Sequence, residues 1–242
     1  MTPAVTLVTG PAGVGKTAWI GHYLSQHRDP HLYFGAGSGS LPIDGMYLAS
    51  LYPHLRVLIE GQEEDLLIQL RAGIPAIVEV GFHLDPIHMQ GIFGDFECRW
   101  IGLTPNGEDK LDAYLWADEL VPGQPVLATL EHPHLWRAPL AGYTWDPERL
   151  ATFWDTLLQG EFGELYRVKG LFALTSGQTL YGDYTVEGSR TFPDEFLALP
   201  TQSLARLTES GLTMGGLEVL GRDLDRGSLR HAVLASCQPP HA

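Results

Sequence analysis

Eight consecutive residues near the start of the chain have the types and spacing to bind phosphate. They are Gly10, Pro11, Ala12, Gly13, Val14, Gly15, Lys16 and Thr17, two outer glycines separated by four residues and followed by Lys and Thr. Glycine permits positive φ angles, so successive N–H groups of such a run can point at a polyphosphate. In this pattern Lys16 would reach the β- and γ-phosphates, and the Thr17 hydroxyl would ligate Mg²⁺. The alternative is an ordinary glycine-rich turn between a strand and a helix.

A carboxylate further along the chain is the candidate acidic partner of that magnesium ion. Glu79 ends the apolar run from residue 74 to residue 78, and such loops need an acid at the end of a neighbouring apolar strand. There it would orient a metal-bound or attacking water. The alternative is a carboxylate that only caps the next turn. Asp44, in the loop from Leu41 to Gly45, is a weaker candidate, as part of a mobile segment that positions Mg²⁺ or water.

The elements that must position these residues alternate between strands and helices. Residues 4–9 predict a strand, residues 10–15 a turn, and Lys16 to Gln26 a helix. A possible strand at 56–59, a helix from Gln62 to Ala72, a buried strand at 74–80 and a further strand at 98–103 follow. Alternating strands and helices favour an α/β layer architecture with a mainly parallel sheet.

The second half of the chain predicts a smaller α+β domain. Residues 121–142 are rich in Pro and Gly and indicate a boundary, so we expect domains at 1–140 and 141–242. Asp146 and Pro147 are typical of a helix start, and Leu150, Phe153, Trp154 and Leu157 keep helical spacing. Two β-rich runs, 165–174 and 179–186, predict an antiparallel hairpin. A strand at 217–220 and a helix at 228–236 complete the prediction.

Composition excludes several classes of function. The 242 residues carry 15 Lys and Arg against 29 Asp and Glu, a formal charge of −14, which opposes binding to nucleic-acid phosphates. No apolar run approaches the ~18 residues of a membrane span, so we expect no membrane insertion. Two cysteines, Cys98 and Cys237, are too few for a disulfide framework and fit a reducing, cytoplasmic setting.

Several segments together resemble the CobW-type GTPase and metallochaperone family. They are the loop from Thr9 to Thr17, the strand exit from Ile77 to Pro86, the run from Tyr166 to Phe172, and the segment from Gly221 to Arg226 that leads on to Cys237. The resemblance implies a P-loop NTPase domain followed by a CobW-like α+β domain. It also implies a hydrolase that binds GTP with Mg²⁺, hydrolyses it slowly with Lys16 and Glu79, and acts on a protein client or in metal-related assembly.

The chain departs from that family at two motifs. Where the family carries Cys-x-Cys-Cys, this chain reads Glu60-Gly61-Gln62-Glu63-Glu64, without the thiolates that select a soft metal. No Asn-Lys-x-Asp segment for guanine occurs between Tyr114 and Leu130, so ATP stays open beside GTP.

These departures leave two further functions open. One is a degenerate scaffold or assembly factor that keeps the fold without turnover or metal transfer. The other is a metallochaperone that uses imidazole and carboxylate ligands. Its candidate ligands would come from His83, Asp85, His88, His132 and His134.

Overall fold

The computed structural model describes residues 4–105, 116–126, 133–186, 196–201 and 215–239. The chain divides into two compact units, Met1–Val126 and Leu127–Ala242. The sequence places the boundary after residue 140, whereas the structure divides the chain before His134–Pro139. That strand pairs with a strand of the second unit, and this pairing assigns it to the second sheet.

The first unit is an α/β layer structure built on a six-stranded sheet. Its strands are β1 Val5–Thr9, β2 His31–Ala36, β3 Leu55–Leu58, β4 Ala76–Val80, β5 Cys98–Thr104 and β6 Glu119–Pro122. Its helices are α1 Lys16–Gln26, α2 Ile43–Leu51, α3 Glu63–Arg71 and α4 Pro86–Ile92. The strand order is β3-β2-β4-β1-β5-β6, and all the pairings are parallel. The predicted α/β fold with a mainly parallel sheet is confirmed.

The two faces of this sheet carry different residues because side chains alternate along a strand. One face forms an apolar core with helices α3 and α4, through residues such as Leu7, Phe34 and Val78 together with Leu70 and Met89. Helix α1 contacts β1, and helix α2 contacts β2 and β3. Tyr33 and Glu79 alternate with the core residues and therefore lie on the opposite face.

Parallel pairing brings the two predicted parts of the site to one edge of the sheet. Strand β4 pairs directly with β1, and Val8 is opposite Glu79. The glycine-rich run leaves the end of β1, so it begins one strand away from Glu79. Carboxyl-terminal edges of parallel sheets are where such folds place their ligands.

Most predicted elements of the first unit are confirmed, and helix α1 has the predicted bounds. Strands β2 and β6 and helices α2 and α4 were not predicted. The assignment of Asp44 to a loop is wrong, because Asp44 lies in the first turn of α2. Helix α2 is buried on most of its sides, so its sequence lacks the apolar stripe that identifies a surface helix.

The second unit is α+β, with an antiparallel sheet in the order β11-β10-β9-β12-β7. These strands are β7 His134–Pro139, β9 Glu164–Ala173, β10 Thr179–Thr185, β11 Phe196–Ala198 and β12 Gly216–Arg222. A short pair, β8 Thr144–Trp145 and β13 Cys237–Gln238, and two helices, α5 Pro147–Leu158 and α6 Arg226–Ser236, complete the unit. The predicted hairpin is confirmed as β9 and β10.

The core of the second unit depends on its first helix. Asp146 caps α5, its carboxylate accepting hydrogen bonds from the backbone N–H groups of Glu148 and Arg149 at 3.0 and 3.2 Å. The predicted apolar positions of α5 are all buried. Trp154 packs edge-on against Phe172 of β9. The sequence therefore predicted both the start and the buried face of this helix.

Within the described ranges, no helix combines the length and the apolar character that crossing a bilayer requires.

Candidate functional site

The glycine-rich run between β1 and α1 has the backbone of an anion-binding loop. Gly10, Gly13 and Gly15 have φ angles of 146°, 85° and 99°, which side-chain-bearing residues rarely adopt. Gly15 is the N-cap of α1, and that helix has neither a side-chain cap nor an acidic residue in its first turn. The first amides of a helix lack partners within it and form its positive end. The loop is therefore suited to an anion.

Two side chains that begin α1 add a positive charge and a hydroxyl to this loop. Lys16 and Thr17 are 6% and 8% exposed. The Lys16 Nζ atom donates hydrogen bonds to the carbonyl oxygens of Gly10 at 2.9 Å and Pro11 at 3.1 Å. These bonds hold the ammonium group over the loop, next to the helix amides. The arrangement concentrates positive charge where the sequence predicts the phosphates.

Glu79 lies at the end of β4 and is 8% exposed. Its Oε2 atom accepts a hydrogen bond of 2.9 Å from the Tyr33 hydroxyl, on strand β2. Sequence reasoning identified Glu79 and missed Tyr33, because 46 residues separate the two. The available signal was a hydroxyl-bearing residue in the otherwise apolar run from Leu32 to Phe34.

The residues that follow β6 pack against the predicted phosphate-binding loop, Gly10 to Thr17. The Gly123 N–H donates to the Thr104 carbonyl at 2.8 Å, and the Gln124 N–H donates to the Val14 carbonyl at 3.0 Å. A Cβ atom at Gly123 would lie 2.5 Å from the Val14 oxygen. After β6 the sequence reads Pro122-Gly123-Gln124. This is the region in which the CobW resemblance implies an Asn-Lys-x-Asp motif.

Carboxylates occupy the region in which the family carries its cysteines. Glu60 Oε1 accepts a hydrogen bond of 2.7 Å from the Gly37 N–H, and Glu63 Oε1 accepts one of 2.9 Å from the Gly61 N–H. The first bond joins the chain after β3 to the chain after β2, and the second closes the turn before α3.

The other candidate ligands are distributed over the surface of the first unit and beyond it. His88 Nδ1 lies 3.2 Å from Asp85 Oδ2, with both side chains at least half exposed. The His83 ring lies close over Gly37 and Gly81. His134 begins β7, and His132 lies outside the described residues. In the described part of the chain, no three His, Cys, Asp or Glu side chains form a group that could hold a metal ion.

Neither cysteine has the surroundings of a reactive thiol. Burial, followed by the nearby Asp118 charge, raises the pKa of Cys98. Burial also raises the pKa of Cys237, which lies in the second unit. A raised pKa leaves little thiolate at neutral pH, and the thiolate is the nucleophile.

Neither a protein-family model nor a curated protein matches this chain. Two solved structures align with 98% of it and 99% of their own chains. The crystal structure of Zn(II)-bound YjiA GTPase from E. coli is 15% identical, with a TM-score of 0.33. That of a Zn(II)-bound YjiA triple mutant is 14% identical, with a TM-score of 0.34. The class of the chain follows from its own parallel sheet and loop, which define a P-loop NTPase fold.

Proposed function

We propose that the chain binds a nucleoside triphosphate with Mg²⁺ through the loop from Gly10 to Thr17. The observation that supports this most directly is the loop itself, with three positive-φ glycines, an uncapped helix start and a buried lysine. GTP is the nucleotide that the CobW resemblance implies, and ATP is the alternative because the guanine motif is missing.

The donor atoms at the loop fit magnesium. Mg²⁺ prefers oxygen ligands and is commonly held by a hydroxyl or carboxylate together with phosphate oxygens. The Thr17 hydroxyl and the Glu79 carboxylate would hold it. When bound, the ion would neutralise negative charge on the phosphates.

The proposed activity is slow hydrolysis of the terminal phosphate. Lys16 would stabilise charge that develops on the phosphoryl oxygens, and Glu79 would orient the attacking water. Slow turnover suits a protein that couples its nucleotide state to a partner, so we include a protein client in the proposal. A CobW-like protein of this kind would act in the cytoplasm.

Calorimetry with Lys16→Ala tests the binding site. The variant loses hydrogen bonds from a charged donor, each worth about 1.5–3 kcal/mol, so affinity for Mg·GTP or Mg·ATP should fall about 10- to 100-fold. Arg28→Ala, an exposed cation just after α1, is the matched control and should bind as the wild type does. Equal affinity of the wild type and Lys16→Ala for both nucleotides would refute the proposed site.

A second candidate is a scaffold that keeps the fold without turnover. It is favoured by the Pro122-Gly123-Gln124 segment beside the loop and by the carboxylates at Glu60 and Glu63. A multiple-turnover phosphate-release assay, with and without Mg²⁺, separates the two functions. Sustained release that depends on Lys16 rejects the scaffold, whereas binding without release supports it.

A further inference from the structure

We propose that Tyr33 is a positioning residue of this site, which orients the Glu79 carboxylate and connects it to helix α2. The inference rests on the proposed nucleotide-binding function and goes beyond it, because it assigns a role to a residue on a strand that the sequence did not predict.

The hydrogen bond between the two side chains is buried at both ends. Tyr33 is 2% exposed and Glu79 is 8% exposed, and the donor–acceptor distance is 2.9 Å. Bonds from neutral donors to ionised acceptors are stronger than neutral pairs, and competition from water is small at this depth. Because one carboxylate oxygen is held by Tyr33, the rotation that would turn the other oxygen is restricted.

The tyrosine ring is itself fixed by the helix that follows β2. A Cβ atom at Gly45, in α2, would lie 2.6 Å from Cδ1 and Cε1 of Tyr33 and 3.0 Å from Cγ1 of Val57. The ring therefore occupies space that only a glycine leaves open. Close-packed interiors transmit strain, so a shift of α2 would act on the Tyr33 ring and, through its hydroxyl, on the Glu79 carboxylate.

The contact between Tyr33 and α2 concerns the site because the segment that leads into α2 lies at the same edge of the sheet. Residues 37–42 link the end of β2 to the start of α2 and lie at the same sheet edge as the phosphate-binding loop. Because this segment runs directly into Ile43, the first residue of α2, a displacement of the segment would act on the start of the helix. Tyr33 then provides a physical route from the segment to Glu79, through Gly45.

The direct test is a double-mutant cycle with Tyr33→Phe and Glu79→Gln. Phosphate release is measured under single-turnover conditions at saturating Mg·GTP, or Mg·ATP if calorimetry selects it. Tyr33→Phe should bind nucleotide within about twofold of wild type and hydrolyse it about tenfold more slowly, as expected for one lost charge-assisted bond. Glu79→Gln should lose about 100-fold. Adding Tyr33→Phe to Glu79→Gln should cost less than about twofold, because the two groups act as one unit.

Two controls separate positioning from general packing. Tyr181→Phe removes another buried phenol that donates to a carboxylate, Asp183, in the second unit, and it should leave hydrolysis unchanged.

Gly45→Ala tests the connection to α2 and should reproduce the slower hydrolysis of Tyr33→Phe with nucleotide affinity retained. Gly91→Ala places the same methyl group at an exposed position of α4, where nothing lies within 4 Å, and should be silent.

The outcomes also separate this inference from the proposed function. Wild-type hydrolysis by Tyr33→Phe, or an equal loss in the wild-type and Glu79→Gln backgrounds, overturns the role of Tyr33 while nucleotide binding stands. Nucleotide binding without any hydrolysis by the wild-type protein also overturns the role of Tyr33. Unchanged nucleotide affinity in Lys16→Ala instead refutes the proposed function itself.

Discussion

His31, at the start of β2, is a buried imidazole whose two nitrogens have different surroundings. Its Nδ1 atom lies 2.7 Å from the Asp29 carbonyl oxygen, while Nε2 is buried and has no hydrogen-bond partner within the part of the chain that is described. The rings of His27 and His54 both lie 6.3 Å from the His31 ring. A proton added at Nε2 would therefore be placed in a dry environment beside two further imidazoles.

This arrangement predicts a loss of stability in mild acid. Burial, with His54 and His27 contributing in the same direction, lowers the pKa of His31 from 6.5, against the opposing effect of the Asp29 carbonyl. The unfolded chain therefore binds this proton at a higher pH than the folded chain does. Stability should be fully present above pH 6.5 and fall as the pH drops below it, by at most about 1.4 kcal/mol per pH unit for one proton. Urea unfolding at pH 7.5, 6.5 and 5.5 measures the change.

Variants assign the effect to this histidine. His31→Gln removes the titrating group, and its unfolding free energy should depend less on pH between 7.5 and 5.5 than that of the wild type. His22→Gln changes an exposed histidine on α1 and should keep the wild-type dependence. An unchanged pH dependence in His31→Gln would contradict the assignment.

At the scale of the elements, the sequence predicts the helices and strands whose starts are marked by characteristic residues nearby in the chain. Lys16 to Gln26 follows a glycine-rich turn and forms α1. Asp146 with Pro147 indicates the start of α5. Strand β2 and helix α2 have no comparable signal, because both are buried and their pattern depends on neighbours distant in the chain. The glycine-rich loop and α1 could thus be predicted, whereas Tyr33 could not be paired with Glu79, because β2 was not predicted and 46 residues separate the two side chains.

The end of β6 illustrates a contact between elements that no local pattern reveals. Gly123 lies against the phosphate-binding loop so closely that a methyl group would be 2.5 Å from both the carbonyl oxygen and Cγ2 of Val14. Gly123→Ala should therefore displace the loop and destabilise the protein by about 1–3 kcal/mol, as overpacking does. Nucleotide affinity should fall as well, because the loop amides move with Val14. Denaturant unfolding and calorimetry measure the two effects.

The control for this prediction is a glycine with free space around it. Gly91→Ala, on α4, meets no atom within 4 Å, and alanine is favoured over glycine in helices by about 0.8–1 kcal/mol. It should leave stability equal or slightly higher and affinity unchanged. Wild-type stability of Gly123→Ala would contradict the predicted overpacking against Val14.

At the scale of the whole molecule, the chain has two units, and the described residues of each include an apolar core. The first is centred on residues of the parallel sheet and the second on Trp145, Trp154 and Phe172. The candidate site draws its described residues from the first unit alone, namely the loop before α1, Tyr33 and Glu79. A ligand bound there stabilises the state that holds the loop in place, by mass action.

Nucleotide should therefore protect the first unit preferentially. At a free concentration 100 times Kd, binding stabilises the folded state by about 2.7 kcal/mol, which slows exchange of amides that open only through local or global unfolding of that unit. Hydrogen exchange with and without Mg·nucleotide should slow in peptides from β1, α1 and β4 and change little in peptides from α5 and β9. Lys16→Ala binds about 10- to 100-fold more weakly, so at the same nucleotide concentration the stabilisation should fall to about 0.4–1.4 kcal/mol and the protection should shrink accordingly. Equal slowing in both units would instead mean that the chain unfolds as one cooperative body, and undiminished protection in Lys16→Ala would place the ligand elsewhere.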